Sequence, residues 1–588
     1  MKKPVPYLPD RSWISRVRVI RILFLFLFGL LLCRLFFWQI LRADQLQALA
    51  ESQYETIKKT TGSRGKIYSA DGYLLATNID VYTLFAEPHN FTKPLSEITA
   101  ALSVRMPWDL STQSATDPAE RVRIQDEWRQ TFLNRLSSLD SRWIALKRKL
   151  PKQNKEEIET LKLDGIGFER GEMRQYPESS MAAHILGFVG SNERGQEQGY
   201  FGIEGAYDRE LRSKEGRIKL EKDALGLQLA IGDYDSIGSQ DGRDVVLTIR
   251  RDLQYLLENK LKEGMEKYGS KTAEAVIMDP KTGAILAMAS FPNYDPSSFH
   301  MFDSETYKNL IVQDVYEPGS TMKILTVSAG VDAGAIKPDT ICTRCFGPRV
   351  ISGYTIKTWN EKYFPDSTIT DGLVHSDNTV MIFSEEEMGK DVYVDYLQRF
   401  GLGRKTGLDV QEEALPPFRK DWRELDAATA SFGQGIAVTG IQMLNIAQAI
   451  ANKGVMMRPM LVQAVRNRSE EIDIDPRETG RPITPETAST VTTMMEASAL
   501  HGDAKWAIPK GYRIAGKTGT AQVPVAGHYD EEKTVASFIG FAPADDPKFV
   551  MLVKLREPQT SPWGSETAAP LWFSIARDLF LRMNIPPR

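Results

Sequence analysis

Residues 316–330 read YEPGSTMKILTVSAG. Pro318 and Gly319 punctuate the chain, and the helical run that follows starts at or near Ser320. A spacing of i to i+3 puts Ser320 and Lys323 on one helix face, within contact range. The helix start also offers unpaired N–H groups and the positive end of a dipole beside the hydroxyl. A serine is a weak nucleophile until a base takes its proton. Lys323 can be that base if burial or nearby positive charge lowers its pKa.

Two further motifs follow in order. The first is Ser376-Asp377-Asn378. The second is Lys517-Thr518-Gly519-Thr520, in RIAGKTGTAQ, which reads as a strand. A second serine can relay a proton, an asparagine can bind a substrate amide, and a strand lysine supplies positive charge. Gly519 is expected to let substrate backbone approach the strand closely. Each motif alone is weak, and Lys281-Thr282-Gly283 is a decoy of the third, sitting in a turn. In this order and context, the three form the signature of penicillin-recognising serine enzymes.

The surroundings predict an α+β domain over 246–588. LTIRRDLQYLLENKLKEGMEKY (247–268) reads as a long amphipathic helix, and AEAVIMDPKTGAILAMAS (273–290) as a hairpin with turn chemistry at Asp279 to Gly283. VASFIGFAP and PKFVMLVKL are further strands, and LWFSIARDLFLRMN is a closing helix. Strands at both ends with helices between predict an antiparallel sheet packed between helices. Upstream, 61–245 reads as an elongated, non-catalytic α+β pedestal that opens with strands around Asp71-Gly72. Between about 96 and 163 it reads as helical and charged, with Trp128, Phe132 and Leu136 at helical spacing.

Residues 22–41, ILFLFLFGLLLCRLFFWQIL, are about long enough to cross a bilayer, interrupted by Arg34 and Gln39. Arg34, in the outer half, can snorkel to the headgroups. Lys2, Lys3, Arg11, Arg16, Arg18 and Arg21 precede the run against the single acid Asp10. The positive-inside rule therefore makes 1–21 a cytoplasmic tail, 22–41 a transmembrane helix and all that follows external, on a helical stalk over 42–60. A cleaved signal peptide fits less well, because the run outlasts the usual h-region and Ala48-Leu49-Ala50 lies well beyond its end. The 588 residues are 42% apolar and 26% charged, with net charge −4, which argues against a nucleic-acid partner. Three cysteines exclude a disulfide scaffold. Cys342 and Cys345 leave a zinc or redox pair, a local disulfide and a plain loop all open.

The chain resembles the class B penicillin-binding proteins beyond the three motifs. Arg64-Gly65-Lys66-Ile67 with Asp71-Gly72, Arg174 with Tyr176-Pro177, Ala183 to Phe188, and Gly202-Ile203-Glu204 with Tyr207-Asp208 resemble that family's pedestal blocks. Ser431 to Gly435 and Ser537 to Pro543 resemble its catalytic domain. The resemblance implies a peptidoglycan D,D-transpeptidase, blocked by β-lactams, that needs no metal or cofactor. It implies Ser320 as nucleophile, Lys323 as general base, and Ser376 relaying a proton with Lys517 nearby. Asn378 would bind the donor peptide, and Thr518 and Thr520 its carboxylate. The N–H groups of Ser320 and Thr520 would form the oxyanion hole.

The sequence leading into Ser320, Glu566 to Pro570 and Met583 to Pro587 resemble the division-specific, FtsI-like branch. That branch implies a cell-membrane protein working with an FtsW-like glycosyltransferase and other septal membrane proteins. The elongation-specific branch is the second reading. A class A β-lactamase would need an added glutamate; Glu412 and Glu413 lie in GLDVQEEALPP, without E-x-x-L-N. An idle scaffold or β-lactam sensor is the reading from another class, against which the intact motif set stands. His375 is expected on the rim, and Tyr354 and Trp359 either line the cleft or pack a loop.

Overall fold

The computed structural model describes residues 11–106, 118–136, 141–221, 235–525 and 528–587. It divides into two units: 1–62 with 213–241, and 63–212 with 242–588. In the first unit, the helical stretch Trp13–Leu41 is long and apolar enough to cross a membrane. A helix over Ala43–Tyr54 follows, but the expected helical stalk stops there. Glu55–Thr60 is instead a strand, paired antiparallel with Gly216–Glu221, which in turn pairs with Asp235–Ile237. Thr56, Ile57 and Thr60 are β-branched, a residue type that loses rotamer freedom in a helix, so a partner strand wins this segment.

The second unit opens around the long strand Leu74–Ala86, which pairs with Ile166–Gln175 and with Ile144–Pro151. The stripe expected on Trp128, Phe132 and Leu136 lies on the helix Pro118–Leu136, with Phe132 and Leu136 in the core. The strand Ile144–Pro151 corrects the helical reading of 96–163. Its buried Leu146 and Leu150 are four residues apart, a spacing that suits a helix face and a strand face alike. A neighbouring strand with open hydrogen bonds decided between them. The short strand Asp244–Leu247 pairs parallel with Ile67–Tyr68 and antiparallel with Val462–Arg466, so the two parts of this unit share one sheet.

Beyond it lie α1 (Arg251–Tyr268), β1 (Thr272–Met278), β2 (Ile285–Phe291), α2 (Lys323–Asp332), α3 (Asn378–Met388), β3 (Ala515–Val525), β4 (His528–Ala542), β5 (Phe549–Arg556) and α4 (Ala568–Arg582). The sheet runs β2-β1-β5-β4-β3, with every neighbour antiparallel. Strand alternation divides its side chains. Ala273, Ala275 and Ile277 of β1, with Met551, Val553 and Leu555 of β5, pack on α1 and α4. Val276, Met278, Val550 and Leu552 face the helical lobe that contains α2, α3 and the helix Gly440–Ala451. The edge strand β3 therefore borders the lobe that carries the other two motifs. The decoy lysine Lys281 stays in the exposed β1–β2 turn, paired with Asp546 at 3.0 Å.

Candidate active site

Ser320 lies in a single 3₁₀ turn, Gly319–Met322, that leads into α2. Gly319 has φ +55°, and a Cβ there would come within 2.8 Å of the Thr520 carbonyl oxygen. Gly433, with φ +84°, lies under the same turn: its carbonyl accepts from Gly319 N–H at 3.0 Å, and a Cβ would collide with Gly319 O. Two glycines thus let the Ser320 turn sit directly on β3 and on the Ser431-to-Gly435 segment. The contact that Gly433 makes is not legible in the Ser431-to-Gly435 motif itself.

Ser376 links the helix Ile369–Val374 to α3 in the left-handed region, φ +57°. Asp377 fixes the following turn as N-cap, accepting from Thr379 N–H and Oγ1 at 2.7 Å each. Ser376 Oγ is the centre of the cluster. It donates to Ser320 Oγ at 2.9 Å and accepts from Lys323 Nζ at 3.2 Å and Lys517 Nζ at 3.1 Å. The direct Ser320–Lys323 contact expected from their spacing is replaced by this bridge. The Lys323 ammonium points at Ser376, also donating to its carbonyl at 2.6 Å, and at Asn378 Oδ1 at 2.9 Å.

Both lysines are buried. Burial, reinforced by the neighbouring Lys517 charge and opposed by Asp377, holds the Lys323 ammonium well below its ordinary pKa of 10.5. Burial brings Lys517 down to about 8, with Asp503 opposing. A neutral amine is therefore within reach at the centre of the cluster.

The remaining predicted residues stand around this core. Both ends of the Asn378 amide are engaged, Oδ1 by Lys323 and Nδ2 by the Lys357 carbonyl at 3.0 Å. Thr518 Oγ1 accepts from Lys517 Nζ at 3.3 Å, and Thr520 Oγ1 accepts from Gly564 N–H at 3.0 Å. Gly519 also makes a close approach within the protein itself. A Cβ there would collide with Ser537 Oγ and lie 2.8 Å from Thr321 Cγ2, so its bare face meets the nucleophile turn and β4. Gly564 packs on the other side, where a Cβ would collide with Gly519 O. Neither Gly564 nor Gly433 could be singled out from sequence, because a glycine's partner is another segment's backbone.

The rim carries aromatic side chains. Trp359 donates to the His375 carbonyl at 3.5 Å and packs on Trp563 with ring centres 4.9 Å apart; His375 is exposed and stacks on Phe364 at 4.3 Å. Cys342 and Cys345, whose state the sequence left open, form a disulfide. Glu412 accepts from Gly202 N–H at 2.9 Å and Glu413 from Gly407 N–H at 3.0 Å, so the two glutamates of the β-lactamase reading are engaged by backbone away from Ser320.

Comparison with known proteins places the whole chain in a family. The penicillin-binding protein transpeptidase domain matches residues 273–580, and the penicillin-binding protein dimerisation domain matches 59–247. Stage V sporulation protein D of Bacillus subtilis is 31% identical, over 97% of this chain and 86% of its own. Peptidoglycan D,D-transpeptidase FtsI of Escherichia coli K12 is 30% identical, over 95% and 90%. Among solved structures, penicillin-binding protein 3 of Mycobacterium tuberculosis with aztreonam is similar at TM-score 0.67 and 25% identity, covering 90% of this chain and 98% of that one. Penicillin-binding protein 2X of Streptococcus thermophilus shares the fold at TM-score 0.73 and 24% identity, covering 90% and 80%. With a dimerisation module ahead of a transpeptidase domain that assembles the three motifs, the chain belongs to the penicillin-binding proteins and is a class B, FtsI-like member.

Proposed function

We propose that this chain cross-links peptidoglycan stem peptides at the division septum through an acyl-enzyme on Ser320. The observation that carries the reading is the single hydroxyl of Ser376, bonded at once to Ser320 Oγ and to two buried lysines. As Ser320 Oγ adds to the carbonyl between the two terminal D-alanines, its proton passes through Ser376 Oγ to neutral Lys323. The oxyanion lies between the N–H groups of Ser320 and Thr520. When the adduct collapses, the carbon–nitrogen bond breaks and the departing D-alanine amine takes the proton back through Ser376. An amine of a neighbouring stem peptide then attacks the acyl-enzyme along the reverse route. Lys517, kept charged, holds the Ser376 hydroxyl and draws the donor carboxylate towards Thr518 and Thr520, and Asn378 orients the donor peptide. A β-lactam enters the first half of this sequence and stays attached to Ser320.

In this reading 61–245 is a non-catalytic pedestal, 246–588 the transpeptidase domain and 22–41 the anchor. Residues 1–21 remain cytoplasmic and the body is external. Glycan polymerisation belongs to a partner, an FtsW-like glycosyltransferase met with other septal membrane proteins through the anchor and pedestal. Depletion tests the placement: filamentous cells support the septal role, and rounded cells would move the protein to elongation. Labelling by fluorescent penicillin tests the chemistry, with the label lost in Ser320→Ala.

A further inference from the structure

The catalytic sheet carries a row of buried polar residues that acyl transfer does not use. Ser290, Glu274, Lys554 and Ser537 pair directly across β2, β1, β5 and β4, and the line ends opposite Gly519 on β3, the Lys-Thr-Gly strand. Alternation turns this line towards the nucleophile turn. Glu274 and Lys554 are 1% and 0% exposed, with Oε1 and Nζ 2.7 Å apart. Removing such a pair from water is costly, and apolar residues of the same volume are often as stable, so fold stability alone does not account for the charges.

The Lys554 ammonium does more than pair with Glu274. It donates to Asp314 Oδ2 at 2.8 Å and sits 3.8 Å from the centre of the Tyr316 ring. Arg556 grips both Asp314 oxygens at 2.8 Å. Asp314 and Tyr316 belong to the strap that runs straight into Ser320. Further along, that strap is tied by paired backbone bonds between Tyr316 and Val438 at 2.9 Å and by Gly319 N–H to Gly433. Two cations on β5, the buried Lys554 and the half-buried Arg556, therefore set how the strap lies over the sheet.

We propose that Lys554 is a positioning residue for the nucleophile: oriented by Glu274, its ammonium holds Asp314 and the Tyr316 ring, and so fixes the distance between Ser320 Oγ and Ser376 Oγ. The proposal rests on the acyl-transfer reading of Ser320. A displacement near 1 Å at a reacting atom can cost on the order of 100-fold in rate.

The test compares Asp314→Asn, Lys554→Met and the double variant Lys554→Met/Glu274→Gln with the unaltered full-length chain in detergent. The double variant removes the carboxylate that the single one would strand. Acylation by fluorescent penicillin gives the limiting rate constant and the half-saturating concentration, and thermal unfolding reports the folded fraction. In Asp314→Asn and the double variant, the limiting rate constant falls by about tenfold or more while the half-saturating concentration stays within about twofold, since the β-lactam's own contacts are intact. Wild-type acylation by the folded fraction of either variant would overturn the proposal. So would a fall in rate matched by a rise in half-saturating concentration, which marks general loosening of the cleft. Failure of the acyl-transfer reading itself shows separately, as an unaltered chain that carries no adduct on Ser320.

Discussion

Ser376 holds a backbone angle that serine seldom adopts, φ +57°, and presents its hydroxyl to Ser320 and to two lysines that burial has stripped of water. Such strain persists where the surroundings over-determine it, and it commonly marks a working site. The lysines make two predictions. Lys517 titrates near 8 in the folded chain against about 10.4 when unfolded, so the unfolded state binds more protons between those values. Stability contributed by this group therefore rises with pH across that window and is lowest below pH 8. Lys517→Met removes the burden and is expected to raise stability at pH 7 by about 3 kcal/mol while abolishing acylation. Denaturant unfolding checks the first half and penicillin labelling the second. The rate of acylation should rise with pH as Lys323 loses its proton, then fall above about 8 as Lys517 does. A profile flat across this range would dissociate both lysines from the chemistry.

At the scale of elements, the site is a junction where three backbones approach more closely than side chains allow. Gly519→Ala would drive a methyl into Ser537 Oγ and towards Thr321 Cγ2, pushing β3 off the nucleophile turn. Its expected effect is a loss of about 1–3 kcal/mol with slower acylation, read by thermal unfolding and labelling. Ser537→Ala should do the reverse. Its buried hydroxyl has no hydrogen-bond partner, so removing it costs nothing or stabilises by about 1 kcal/mol, and it eases the Gly519→Ala variant. The elements themselves were largely legible. The helix over Arg251–Tyr268, the hairpin closed at Gly283 and the closing helix each carry a local period or turn residue that only one structure suits. The strand Ile144–Pro151 and the end of the helix at Tyr54 were not, because in each a partner strand outweighed local preference. The candidate catalytic residues could be named from the order of their motifs. The Ser376 bridge could not, since it depends on a left-handed residue and a short turn placed by distant packing.

For the whole molecule, the helical stretch over Trp13–Leu41 is long and apolar enough to hold the enzyme in a membrane, while the candidate site draws on residues 316–564 of the second unit. Removing residues 1–41 should therefore release the protein from the membrane fraction and leave its rate of penicillin acylation unchanged, as measured by fractionation and labelling. Near-neutral net charge suits an enzyme whose substrate is a peptide held on a cell-wall strand. The central claim, that a Ser376-bridged pair of buried lysines arms Ser320, has one direct test. The full-length chain is reacted with penicillin, digested and analysed by mass spectrometry beside Ser320→Ala and Ser376→Ala. One adduct is expected, on the peptide that carries Ser320, absent from Ser320→Ala and formed far more slowly in Ser376→Ala. An adduct on another residue, or normal acylation without the Ser376 hydroxyl, would contradict it.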